Sequence, residues 1–232
     1  MTAQIEMQVS DTMSRKFPSD EILADYASGA LPAGLSLLVA SHLTFSPESR
    51  RRVGDLESLG GVMLSADGAD GLAAPDLDAA LARLDAPEAP RRNAMEDDAP
   101  IRLGGGAPVL PAPLRRALGG DADELAWKFR LPGLSEVELD GFEGEEVSLL
   151  RARPGAPLLS HTHEGVETTL VLTGLLEDRG RVFARGDVAV ATEDDDHRPR
   201  IVGEETCICL IVMSGGLRFT GPFSRALNLF AE

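Results

Sequence analysis

Basic residues are in short supply in this chain. Lys and Arg number 22 against 38 Asp and Glu, which leaves a net charge of −16 over 232 residues. Contacts to phosphates need clustered cations, so this balance argues against a nucleic-acid-binding surface. It suits either no charged macromolecule or a basic protein partner. Long apolar runs are missing too. No segment approaches the length of a membrane span, and the N-terminus lacks the apolar core of a signal peptide. There are only two cysteines, Cys207 and Cys209, too close along one run to form an easy mutual disulfide, so the cytoplasm is the expected compartment. Aromatic residues make up 4% of the chain and histidines number four, whereas 24 glycines and 15 prolines point to long loops or a linker. The chain is nevertheless long enough to bury a real core.

The first part reads as short helices. Ser19 is placed to cap a helix that begins with Asp20 and Glu21 and carries Ile22, Leu23 and Tyr26 on one face, with Gly29 at its end. Pro32 opens a second helix with Leu35, Leu38, Val39 and His42 on one side. Ser46, Pro47 and Glu48 start a third, which runs through Val53, Leu56 and Leu59 to Met63. Residues 1 to about 16 show no period and read as a tail. From Ser65 the composition shifts to Gly, Ala, Pro and Asp. Leu77, Leu81 and Leu84 form an apolar stripe on a helix expected at about 75–84, one that docks on another surface, and a further short helix is expected at 113–118. The stretch 85–106 reads as flexible. The expected division is a helical domain at 1–64, a linker with its docking helix at 65–120, and a third unit at 121–232.

That third unit is built of strands. WKFRL, SEVEL, EVSLLRAR, TTLVLTGLLED, RVFA, DVAVAT, PRIVG and TCICLIVM are short, rich in Val, Leu and Ile, and separated by turn residues such as Gly186-Asp187. The pattern predicts an all-β barrel or sandwich. Within it, His161 and His163 lie two apart, which on a strand puts both rings on one face. Glu167 opens the next strand and can fold back toward them, and two imidazoles with a carboxylate suit Zn, Mn, Fe or Ni. His197 is the remaining histidine able to supply a fourth ligand. Asp194, Asp195 and Asp196 could support the site or form a solvated loop. Cys207 and Cys209 alternate onto one face, either as small core residues or as an oxidisable pair.

Gly155 to Gly174 follows the spacing G-x5-H-x-H-x3-E-x6-G. This stretch resembles the first motif of the cupin superfamily at every fixed position. The second cupin motif is weaker, with Ala184 where a proline would stand and a long gap from Gly186 to His197. The resemblance implies an α+β chain with a C-terminal double-stranded β-helix barrel holding one divalent metal, zinc first among the choices, on His161, His163, Glu167 and His197.

The order of the two halves resembles the ChrR anti-sigma factors of α-proteobacteria, and PSDEILADYASGALPAGLSLLVASHL looks like the first two helices of their zinc-binding helical domain. His42 matches the histidine of that family's H-x3-C-x2-C motif. Ser46 and Ser49 stand where the cysteines would be, and Phe17 stands where an upstream histidine would be. Serine hydroxyls are poor zinc ligands beside thiolates, so no metal is expected in the helical domain. His42 is expected at a helix end near carbonyls or solvent. Phe17 and Phe45 are expected to fill the vacated volume, at about 2 kcal/mol per buried ring. The resemblance implies a cytoplasmic, non-enzymatic regulator. It would sequester an extracytoplasmic-function sigma factor through the helical domain and linker helix, while the metal-bound barrel senses an oxidative signal. The alternative is a metal-dependent cupin enzyme, of dioxygenase or isomerase type, with a vestigial helical domain.

Overall fold

The computed structural model describes residues 17–66, 78, 81–82 and 108–219. The expected tail at 1–16, the stretch 85–106 and the C-terminal segment beyond Phe219 lie outside the described residues. Of the helix expected at 75–84, only Asp78, Leu81 and Ala82 are described, and all three are helical.

Three helices form the N-terminal bundle: α1 (Asp20–Ser28), α2 (Ala33–Phe45) and α3 (Pro47–Ala66). Their ends follow local chemistry. The Ser19 side chain accepts the Ile22 amide at 3.3 Å, and Gly29 closes α1 in the left-handed conformation at φ 74°. Pro47 takes the first position of α3, while the Ser46 hydroxyl accepts the Ser49 amide at 3.1 Å. Leu23, Val39 and Val53 form the small core of the bundle.

Helix α4 (Ala112–Leu118) precedes the strands. Expected only as a short helix within the linker, it is instead part of the larger core: Leu110 and Leu114 are fully buried against barrel residues. Its entry is fixed by Asp121, whose carboxylate accepts the Val109 and Leu110 amides at 2.9 and 2.8 Å.

The strands are β1 (Lys128–Leu131), β2 (Leu134–Leu139), β3 (Glu146–Ala152), β4 (His161–His163), β5 (Glu167–Thr173), β6 (Leu175–Asp178), β7 (Arg181–Phe183), β8 (Val188–Ala191), β9 (Arg200–Val202), β10 (Cys207–Met213) and β11 (Leu217–Phe219). All pair antiparallel. One sheet has the order β1-β2-β3-β10-β5-β8, and two smaller sheets, β7-β6-β9 and β11-β4, complete the β unit. Strand β10 sits between β3 and β5, in register from Cys207 opposite Ala152 to Met213 opposite Glu146. Its unbroken apolar run, CICLIVM, reflects burial on both faces. Ile208, Leu210 and Val212 meet the core shared with Leu38 of α2 and Leu114 of α4, while Cys207 and Cys209 meet the opposite core with Val171, Leu176 and Phe183. The larger sheet is therefore covered by helices on one side and closed by the small sheets on the other. Gly174 is required where β5 turns into β6, because at φ 68° an added Cβ would lie 2.8 Å from the Cys207 Cα.

Among the described residues, no single helix is long and apolar enough to cross a membrane.

A candidate metal centre in the barrel

Four side chains from three places in the chain meet inside the β unit. His161 and His163 point the same way from β4, Glu167 enters from the first position of β5, and His197 is brought in by a backbone bridge to His161. In that bridge each residue's amide donates to the other's carbonyl at 3.1 Å. The ligand atoms of the four residues all lie within 4.8 Å of one another. His197 Nε2 is 3.0 Å from His161 Nε2 and 2.9 Å from His163 Nε2. The Glu167 Oε2 is 3.8 Å from the first of those rings' partners, His161 Nε2, and 3.6 Å from His163 Nε2. Every candidate ligand read from the sequence is thus in one cage.

The donor set fits a cation by its proton arrangement. The Leu159 carbonyl can only accept, so His161 Nδ1 donates to it at 2.8 Å. Likewise His197 Nδ1 donates to the Asp178 carboxylate at 3.1 Å. In each neutral ring the other nitrogen then carries a lone pair. Those two Nε2 lone pairs face each other with no proton between them, an arrangement that a shared positive ion relieves. Zn–N bonds of roughly 2.0–2.1 Å imply tetrahedral N···N edges of roughly 3.3 Å, close to the separations here. His163 differs in that its Nδ1 is buried without a protein partner.

The electrostatics agree. Burial opposes the Glu167 carboxylate, but the three histidines outweigh that and hold its pKa below the ordinary value. Burial also opposes charge on His161, yet Glu167, the Leu159 carbonyl and Asp178 together raise its pKa. Burial dominates at His163 and lowers its pKa. Glu167 and Asp178 thus favour positive charge at His161, while burial and the neighbouring histidines oppose it at His163.

Asp178 was not legible as part of this site. It lies in β6, its carboxylate is buried, and it orients His197 while also contacting Arg179. Asp195, by contrast, is used locally: it accepts the Thr192 amide at 2.8 Å and pairs with Arg179. Replacing Asp178 with Asn is therefore expected to weaken metal affinity roughly 10–100-fold, measured by competition with a chromogenic chelator, whereas removal of a mere surface carboxylate would leave it unchanged.

The cage opens into a cavity of about 880 Å³, whose lining includes His161, Glu167, His197 and Asp178 together with Leu150 and both cysteines. Cys207 and Cys209 both face inward, with their sulfurs 3.6 Å apart. The contact with Cys207 and burial push the Cys209 thiol well above its ordinary pKa, so it is held as a thiol.

A family model described as the ChrR cupin-like domain matches residues 116–215. Over 217 residues the chain is 32% identical to the anti-sigma-E factor ChrR of Cereibacter sphaeroides, an alignment that covers 93% of this chain and 97% of that protein. This chain belongs to the ChrR family of anti-sigma factors. The crystal structure of Rhodobacter sphaeroides SigE in complex with the anti-sigma ChrR contains a chain that matches it with a TM-score of 0.70 at 30% identity, covering 86% of this chain and 98% of that one.

Against the ChrR family's helical motif, this chain places hydrogen bonds where ligands would stand. The Ser46 hydroxyl donates to Ser49 Oγ at 2.9 Å, and Ser49 Oγ lies 2.8 Å from His42 Nε2. On the other side His42 Nδ1 donates to the Gly186 carbonyl at 2.8 Å. His42 is in the last turn of α2 and meets a carbonyl, as expected, but it is fully buried and that carbonyl belongs to the barrel. The two phenylalanines do not fill a vacated metal volume. Phe17 is 46% exposed and only meets the His42 ring edge-on, while Phe45 packs on the larger core. At this place the structure pairs His42 with two small hydroxyls rather than burying two rings.

Burial lowers the pKa of His42 below 6.5, more than the Gly186 carbonyl and Asp187 raise it. Between that lowered value and 6.5 the unfolded chain binds more protons than the folded one. The stability contributed by neutral His42 is then complete above pH 6.5 and is lost as the pH falls toward the folded value. Going from about pH 7.5 to about pH 5.5 should lower the melting temperature more in the native sequence than in His42→Asn. Equal slopes would contradict this.

Proposed function

We propose that this chain is a cytoplasmic anti-sigma factor that sequesters a sigma factor of the extracytoplasmic-function class through its helical domain and the helix expected at about 75–84. Its barrel would hold one divalent ion. The observation that carries this reading is 32% identity to an anti-sigma factor along 97% of that protein's length. The acidic balance of the chain supports it, since the surface with which a sigma factor contacts DNA is basic. So does the far end of α3, where Leu59, Val62 and Met63 fall at helical spacing on one face and are 56%, 66% and 63% exposed.

Zinc is the ion that suits three imidazoles and a carboxylate best. His161, His163, Glu167 and His197 would hold it, and Asp178 would keep the His197 ring in its ligating tautomer. Bound there, it would cross-link β4, β5 and the segment before β9. An oxidative signal that disturbs this cross-link would loosen the barrel, and release of the sigma factor would follow. The chain is not proposed to be catalytic. The enzymatic reading is favoured by one observation, the 880 Å³ cavity onto which His161, Glu167 and His197 face. Titration into a transcription reaction driven by an extracytoplasmic-function sigma factor of the same organism tests the proposal. Transcription should be inhibited stoichiometrically, and undiminished transcription would sink the anti-sigma reading.

A further inference from the structure

Helix α2 carries apolar residues around most of its circumference and packs on two sides. Val39 and Leu43 face the small bundle core, while Leu35, Leu38 and Phe45 face the larger core with Leu170, Leu172 and Leu210 of the barrel. Three contacts fix it there. The α2 N-terminus has no side-chain cap of its own, and the barrel supplies one: Glu145 accepts the Gly34 amide at 2.6 Å and the Leu35 amide at 3.0 Å. Gly34 itself rests on the barrel so closely that an added Cβ would lie 2.6 Å from Val147 Cγ2. At the other end Gly186, at φ 90°, leaves room for Phe45, whose Cβ would be 2.7 Å from any Cβ placed there. Between these ends runs the hydrogen-bond chain from Ser46 through Ser49 and His42 to the Gly186 carbonyl. Gly186 is in turn bound to β5, since its amide donates to the Val171 carbonyl at 2.8 Å and the Val171 amide donates to Asp187 at 3.0 Å. Strand β5 is the one that carries Glu167.

We infer that the barrel completes the helical bundle: α2 is a helix shared by both units, and the Ser46–Ser49–His42–Gly186 chain latches them, so that lifting α2 from the barrel loosens α1 and α3 as well. A three-helix bundle whose fully buried core is Leu23, Val39 and Val53, edged by partly buried side chains, has little of its own to hold it. The latch adds to that hold across the boundary between the two units. A disturbance in the barrel is thereby transmitted to the helical domain through an identified element, whichever partner that domain takes.

Hydrogen exchange on the full-length protein tests this. Gly34→Ala raises the intrinsic helix propensity of α2, so a bundle that stood alone would exchange more slowly. With a shared helix, the wedge against Val147 should speed amide exchange roughly tenfold in α1, α2 and α3 together, while β3, β5 and β10 stay protected. Ser49→Ala cuts the latch from inside the bundle. It should speed exchange of the Gly186 and Asp187 amides, on the barrel side, roughly threefold to tenfold, the range expected from one buried hydrogen bond. If α1 and α3 keep their native rates in the first variant, or the 186–187 turn keeps its rate in the second, the two units are independent and the inference fails.

Discussion

Replacing His161 and His163 together with alanine is expected to empty the barrel. Metal content, read by elemental analysis of the purified chain, should fall from about one ion per chain to near zero. Two of four ligands are lost, and the remaining Glu167 and His197 cannot close a four-coordinate shell. The melting temperature should fall by roughly 10 °C, because a tightly bound ion favours the native state by mass action. His42→Ala supplies the contrast. It removes a buried imidazole of comparable burial, but one whose two nitrogens are occupied by Ser49 and Gly186. Metal content should therefore be unchanged even where stability drops. A fall in metal content in His42→Ala would mean that the helical domain also holds an ion.

The second large effect belongs to the free face of α3. Leu59→Asp combined with Val62→Asp should weaken sigma-factor binding roughly 100-fold or more, as expected when two exposed apolar anchors of an interface become charged. Both residues are exposed in the free chain, so stability should change little. Phe129→Asp is the control: that ring is 73% exposed on edge strand β1, far from the helical bundle in the chain, and its replacement should leave binding intact. Equal loss from the two variants would mean that the α3 face has no special role.

The sequence carried the parts of this protein whose chemistry is local. Ser19, Gly29 and Pro47 set helix ends within a few residues of themselves, and the period of the β run exposed most strands, although β5 and β6 read as one run and β11 did not read as a strand. The spacing of His161, His163 and Glu167 placed three ligands without reference to the rest of the chain. What was not legible depends on pairing over long distances. Asp178 supports His197 only because β6 lies beside β9, and an Asp ahead of Arg-Gly otherwise reads as a turn. His197 was assigned as the remaining histidine, while its position is fixed by a bridge to His161 that no spacing announces. His42 was read with its own helix, yet one of its two partners is 144 residues away. Phe45 went to the barrel for the same reason: its cavity exists only because residue 186 is glycine. Two-faced helices such as α2 lose the amphipathic signal that would say which side meets what.

The central claim is that this member of the ChrR family binds a sigma factor while carrying a single metal, in its barrel, with hydroxyls standing in for ligands in the helical domain. Native mass spectrometry of the chain co-expressed with the extracytoplasmic-function sigma factors of its own organism reads both halves of that claim at once. The account predicts one sigma factor and one metal ion per chain in a single complex. A complex with two metals per chain, or an anti-sigma chain that emerges alone, would contradict it.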